Sequence, residues 1–228
     1  MRVAALFSGG KDSVFAVWHA LHQGWDVVRL LTLIPESPSS HMFHYPNIRW
    51  ARLQAKALGI PQSIMRTKGR KEEELLDMKA LLSQASADGV VSGAFASEYQ
   101  RERIDFACEE LGLRSFAPLW HKCADTYLSE LSQNFEAIIT SVSADGLDEK
   151  WLGRRLDEKC IADLRKLCET RGVSPCGEGG EYETFVLDAP IFKRRVEIEK
   201  SSKAFSGASG MLSIEKARLV PKHFPPHL

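Results

Sequence analysis

The stretch Val3-Ala4-Ala5-Leu6-Phe7-Ser8-Gly9-Gly10-Lys11-Asp12-Ser13 carries the chain from an apolar run directly into a helix-patterned segment. Val14, Val17, Trp18 and Leu21 follow at helical spacing, and Gly24 supplies a stop. A strand, a double-glycine loop and a helix start therefore stand in line. Adjacent glycines let backbone approach a ligand closely and turn its N–H groups inward; the helix start adds unpaired donors and partial positive charge. Gly9 and Gly10 thus read as the amide-bearing part of a phosphate cradle, with Lys11 as a point charge and Ser8 and Ser13 as hydroxyl donors. The plainer alternative is a glycine turn before a capped helix, with Asp12 an ordinary first-turn acid. The strand–loop–helix setting favours phosphate.

A Walker A loop would need glycine at Ala5 and a hydroxyl residue at Asp12, and neither is present. Ser-Gly-Gly-x-Asp-Ser instead resembles the loop of the PP-loop ATP pyrophosphatases, which cleave ATP between its α and β phosphates. Asp12 suits that chemistry, because a carboxylate there can hold Mg²⁺ against phosphate oxygens.

Working outward, strands and helices alternate. Val27 to Ile34 is almost wholly apolar, as expected of a strand covered on both faces. Asn47 is placed to cap a helix carrying Ile48, Ala51, Ala55 and Leu58, closed by Gly59. A strand over Ile60 to Thr67, a helix over Glu72 to Ser83 and a short strand at Gly89 to Gly93 follow. Next come a helix over Glu98 to Leu111 and a fifth strand over Ser115 to Leu119. Such repeats predict an α/β fold: a Rossmann-like, open, mostly parallel sheet with helices on both sides and ligands outside the strands' carboxyl ends. Beyond residue 121 the pattern changes. Helices near Asp125 to Gln133 and Asp157 to Arg171, an apolar strand over Phe135 to Val142 and short strand-like pieces to Val220 suggest a second, smaller α/β unit. The division expected is 1–121 for nucleotide binding and 122–228 for a domain contributing the substrate site, although no linker marks it.

Composition narrows the class. Thirty basic residues balance thirty acidic ones in 228, so no global field draws nucleic acid or an anionic membrane. No signal peptide or spanning segment is visible, and a cytoplasmic protein is expected. Five cysteines without a Cys-x-x-Cys pair indicate neither a disulfide framework nor a zinc ribbon.

Further segments carry chemistry-bearing residues. Gly93-Ala94-Phe95-Ala96-Ser97-Glu98-Tyr99-Gln100-Arg101 joins a strand end to a helix start. Ser97 and Gln100 form a capping-box pattern, while Gly93, Ser97, Tyr99, Gln100 and Arg101 share the sheet edge of the phosphate loop. Gly177-Glu178-Gly179-Gly180-Glu181-Tyr182-Glu183 crowds three carboxylates. Extended chain would put Glu181 and Glu183 on one face, where their repulsion invites a cation or shared proton. The loop His41 to Asn47 follows the second strand and can cover a bound nucleotide, with His44 the residue singled out. Val142 to Arg154 is a polar turn anchored by Trp151.

Taken together, Ser8 to Ser13, His41 to Asn47, Gly93 to Arg103, Val142 to Arg154 and Gly177 to Phe185 resemble the diphthine–ammonia ligase, or diphthamide synthetase, family of the PP-loop superfamily. That resemblance implies ATP-dependent amidation, with ammonia, of diphthine on translation elongation factor 2, giving diphthamide, AMP and pyrophosphate. It implies ATP and Mg²⁺ as cofactors, Asp12 as the metal holder, and Lys11, Asp12, Glu178, Glu181 and Glu183 as catalytic candidates. The carboxylates beside Tyr182 would handle ammonium or the trimethylammonium group of diphthine. No membrane or direct nucleic-acid partner is implied, and the oligomeric state stays open, a homodimer included. The alternatives are a PP-loop enzyme adenylating a tRNA base, which neutral charge disfavours, and a nucleotide sensor without catalysis.

Overall fold

The computed structural model describes residues 1–35, 47–68 and 71–222, with only the backbone for Lys71 and Glu72. His41 and His44 lie outside the described residues. Five strands, β1 (Arg2–Leu6), β2 (Asp26–Pro35), β3 (Gln62–Thr67), β4 (Gly89–Val91) and β5 (Arg114–Phe116), pair in parallel in the order β3-β2-β1-β4-β5. Side chains alternate across them between two cores. Val3, Ala5, Leu30 and Val91 enter one, while Ala4, Leu31, Leu33 and Val90 enter the other. Helices α1 (Lys11–His22) and α2 (Ala51–Leu58) cover the first core; α3 (Lys71–Leu82) and α4 (Glu98–Glu110) cover the second. Strand order reverses at β1, from which the chain goes outward to β2 and β3 and then returns to β4. The crevice between the carboxyl ends of β1 and β4 is where such sheets take ligands, and both glycine segments open onto it.

A second sheet combines β6 (Glu136–Val142), β7 (Tyr182–Asp188), β8 (Arg195–Ser206) and β9 (Ser209–Val220) in the order β7-β6-β9-β8, all antiparallel. Helices α5 (Ala124–Asn134) and α6 (Glu158–Arg171) accompany it, α6 being capped by the Asp157 carboxylate on the Cys160 amide at 2.8 Å. Phe15 of α1 sets its ring 5.0 Å from Tyr127 of α5 and 5.7 Å from Phe135, so the second sheet shares the core beneath α1.

Three local expectations change. The strand foreseen over Ser115 to Leu119 ends at Phe116, where Pro118 cannot donate to a ladder. The strand-like pieces before Val220 are β7, paired with β6, and a hairpin of two 12-residue strands crossed by ion pairs Lys200–Glu215, Lys216–Glu199 and Arg218–Glu197. Asn47 caps no helix: its amide donates to the Leu212 carbonyl at 2.7 Å and accepts from the Ile214 amide at 3.0 Å. It fastens the segment entering α2 to β9. Among the described residues no helix is long and apolar enough to cross a membrane.

Candidate active site

A cleft of about 460 Å³ occupies the crevice. Leu6, Leu31, Leu33 and Ile104 give it an apolar wall; Ser8, Lys11, Asp12 and Ser13 enter from the loop after β1. The segment after β4 supplies Gly93, Ser97 and Gln100, the turn before β7 adds Cys176 and Glu178, and β7 itself adds Glu183. An apolar slot beside convergent polar groups is the form of a nucleotide pocket.

The loop is braced internally. Ser13 Oγ accepts from the amides of Ser8 (3.3 Å) and Gly9 (3.1 Å) and donates to the Gly10 carbonyl (3.0 Å). Ser8 Oγ accepts from the Gly10 amide at 3.3 Å. The hydroxyls expected to meet phosphate therefore hold the loop's own shape. Gly9 sits at φ +83°, a conformation that a side chain would strain. Gly93 is fixed by proximity instead: a β-carbon there would stand 2.7 Å from the Asp12 backbone.

Lys11, only 4% exposed, directs its ammonium at both Asp12 carboxylate oxygens, 3.0 and 2.8 Å away. Tyr127 completes the group, donating its hydroxyl to Asp12 Oδ1 at 2.6 Å. Burial works to lower the Lys11 pKa, but Asp12, through charge and hydrogen bonding, and then Cys176 and Glu183 outweigh it, so the net shift is upward. Lys11 remains a cation. Burial, followed by the Asp12 charge, lifts Tyr127 well above the ordinary phenol value and keeps it a donor.

The three carboxylates differ in position. Glu178 and Glu183 line the cleft. Burial, opposed by Lys11 and reinforced by Glu181 and Asp12, raises the Glu178 pKa. Glu181 instead accepts from the amides of Gly179 (2.8 Å) and Ser174 (3.1 Å), shaping the turn. Tyr182 is also diverted: it is buried, with its hydroxyl donating to the Pro175 carbonyl at 2.7 Å, and offers no open ring face in the cleft.

On α4, Ser97 Oγ accepts from the Gln100 amide at 3.3 Å, so the residue both caps and lines. Tyr99 packs against the second core instead. Arg101 stands 4.4 Å over the Trp120 ring and pairs with Asp105 at 3.3 Å, away from the lining. Sequence reading missed Tyr127, which reaches Asp12 across 115 positions, and Thr184, whose hydroxyl accepts from the Lys11 amide at 3.0 Å. No local pattern marks either of them.

The cysteines divide by burial. Cys108, Cys160 and Cys176 are buried, and desolvation pushes their thiols up to about 11, 12 and 12. Cys123 and Cys168 are exposed, and hydrogen bonds from Thr126 lower Cys123. Iodoacetamide is therefore expected to add two groups to the native chain and five after denaturation, as counted by intact mass. Rapid native labelling of Cys176 would contradict the closed packing around Lys11.

Residues 1–115 match the family model described as diphthamide synthase N-terminal domain, and residues 124–220 match the diphthamide synthase C-terminal domain. Diphthine–ammonia ligase of Rattus norvegicus is 34% identical over 247 aligned positions, covering 98% of this chain and 92% of the relative. The Homo sapiens protein of that name is 33% identical with the same coverage. In Schizosaccharomyces pombe the similarly named protein is 34% identical, covering 99% of this chain and 40% of the relative.

Proposed function

Because the chain belongs to the diphthamide synthase family, we propose that it amidates diphthine on translation elongation factor 2 with ammonia, converting ATP to AMP and pyrophosphate. One observation carries the reading: the phosphate loop and two carboxylates, Glu178 and Glu183, line a single cleft. A carboxylate resists attack by ammonia. Its oxygen first bonds to the α-phosphorus as the bond to the bridging oxygen breaks, and pyrophosphate leaves. Ammonia then bonds to the acyl carbon, AMP departs, and a neighbouring carboxylate takes the proton.

The residues have assignable parts. Lys11 offsets negative charge developing on the departing pyrophosphate, within a loop braced by its own hydrogen bonds, so little reorganisation accompanies the step. Gly93, Ser97 and Gln100 line the nucleotide side, and the apolar wall excludes water from the base. Glu178 and Glu183 attract ammonium, or the cationic head of diphthine, and accept the proton released. Among the described residues no cluster of three or more His, Cys, Asp or Glu side chains could cage a metal. Mg²⁺ is usually held by one or two carboxylates plus substrate phosphates, and Asp12 fits that donor set. Bound there, Mg²⁺ would neutralise phosphate charge.

A translation factor as substrate places the reaction in the cytoplasm. The second half of the chain, from residue 122, supplies the carboxylate side of the cleft and would seat the diphthine chain. Balanced net charge gives no support to tRNA-base modification.

The test is incubation with ATP, Mg²⁺, ammonium and diphthine-bearing factor, followed by mass spectrometry of the factor and nucleotide analysis. One AMP and one pyrophosphate per amide are expected. Formation of ADP and orthophosphate, or an unchanged factor, would overturn the proposal.

A further inference from the structure

The two sides of the cleft belong to different sheets, and one buried side chain ties them together. Gln54, on α2, is 0% exposed. Its Nε2 donates to the Gly9 carbonyl of the phosphate loop and to the Val186 carbonyl of β7, both at 2.8 Å. The Gly9 carbonyl also accepts from the Val186 amide at 3.1 Å. Two residues along β7, the Thr184 hydroxyl holds the Lys11 amide at 3.0 Å. Strand β7, which presents Glu183, is thereby registered against the loop that presents Lys11 and Asp12.

A side chain serving only to fill this space would be apolar. Gln54 instead keeps its Oε1 buried with no hydrogen-bond partner among the described residues, an arrangement disfavoured in folded proteins. Rotating the amide would not help, since the oxygen would then face two carbonyls. Oε1 would also lie 1.9 Å from any β-carbon at Gly9, so loop and clamp fit only with glycine there. What the fold retains is the pair of N–H donors bridging loop and strand.

We propose that Gln54 is a positioning residue that registers the phosphate loop against the carboxylate strand and so couples ATP activation to amide formation. The inference rests on the amidation reading. Activation uses the loop side; ammonia attack uses the β7 side. The activated acyl carbon must meet ammonia before water does, and a displacement of about 1 Å costs about 10²-fold in such a step. Loosening the bridge leaves each half intact and spoils their alignment.

The test compares Gln54→Met, which keeps volume and loses both donors, with Thr184→Val and the conservative Thr184→Ser. Pyrophosphate release, amide formation, the KM for ATP and Tm are measured for each and for the unmodified chain. In Gln54→Met and Thr184→Val the KM for ATP should stay within about threefold, while pyrophosphate released per amide should rise about tenfold, activated substrate being lost to water. Thr184→Ser should restore the ratio of one. If Gln54→Met fails to fold, the Thr184 pair decides. A ratio of one retained in the folded variants, with losses that merely follow Tm, overturns the inference alone. An unmodified chain that forms no amide overturns the amidation reading and this inference with it.

Discussion

Asp12→Asn should cut AMP formation by about 10³-fold, the largest loss expected from any single change in the cleft. The carboxylate is the counter-ion of a lysine only 4% exposed and the acceptor of the Tyr127 hydroxyl, as well as the candidate Mg²⁺ holder. Asparagine keeps the shape and one acceptor oxygen but removes the charge that retains Lys11 and that would retain a metal. Breaking a buried pair by removing one partner is destabilising; with the Asp12 side chain 30% exposed, a loss of about 2 kcal/mol is expected. The sign of the pH dependence is fixed by Lys11. Its folded pKa is raised, so the pair's stabilisation is complete below the ordinary lysine value of 10.5 and is lost as pH rises through the folded value. The stability gap between the unmodified chain and the variant should therefore be flat near neutrality and shrink only in strong alkali. Tyr127→Phe separates orientation from charge: it removes one hydrogen bond to Asp12, and a loss of about tenfold is expected. Normal pyrophosphate release by Asp12→Asn at saturating Mg²⁺ would remove Asp12 from the metal assignment.

What the sequence made legible was whatever depends on near neighbours. The double glycine between strand and helix, the alternating elements of the first half and the Ser97 cap are local patterns, and each is where the pattern puts it. Contacts between distant segments left no such mark. Tyr127 reaches Asp12 across 115 positions, and Thr184 reaches Lys11 across 173. Neither residue type is unusual in its own segment. Periodicity also misled where it was applied beyond its element. Strand alternation set Glu181 beside Glu183, yet β7 starts at Tyr182, leaving Glu181 in a turn where alternation has no force. Ser97, the N-cap of α4, and Gln100 and Ile104 line the cleft, Ile104 belonging also to the second core; Tyr99, one residue before Gln100 and so about 100° around the helix, packs against that core without lining the cleft.

Glu183→Gln tests the carboxylate side, with amide formation expected to fall about 10²-fold while AMP and pyrophosphate are still released. Glu183 lines the cleft from β7, the strand whose next residue, Thr184, holds the Lys11 amide, and in the proposed reaction its carboxylate is a proton acceptor for the attacking ammonia. Glutamine cannot take up the proton that ammonia sheds, whereas the activation step needs only the loop. Glu178→Gln should show the same partial phenotype with a distinct pH signature. Burial raises the Glu178 pKa, so in the unmodified chain this group takes up its proton, and the rate declines, at a pH above the ordinary glutamate value of 4.5. That acid limb should move downward in Glu178→Gln. Glu181→Gln is the internal contrast. Its two carboxylate oxygens accept from the Ser174 and Gly179 amides, one each, and glutamine can replace only one of them as acceptor. Its effect should appear as a lower Tm with amide formation reduced only about fivefold, in proportion to one lost hydrogen bond. Should Glu181→Gln abolish amidation while Glu183→Gln and Glu178→Gln leave it intact, proton acceptance would have to be reassigned from the cleft-lining pair to the turn.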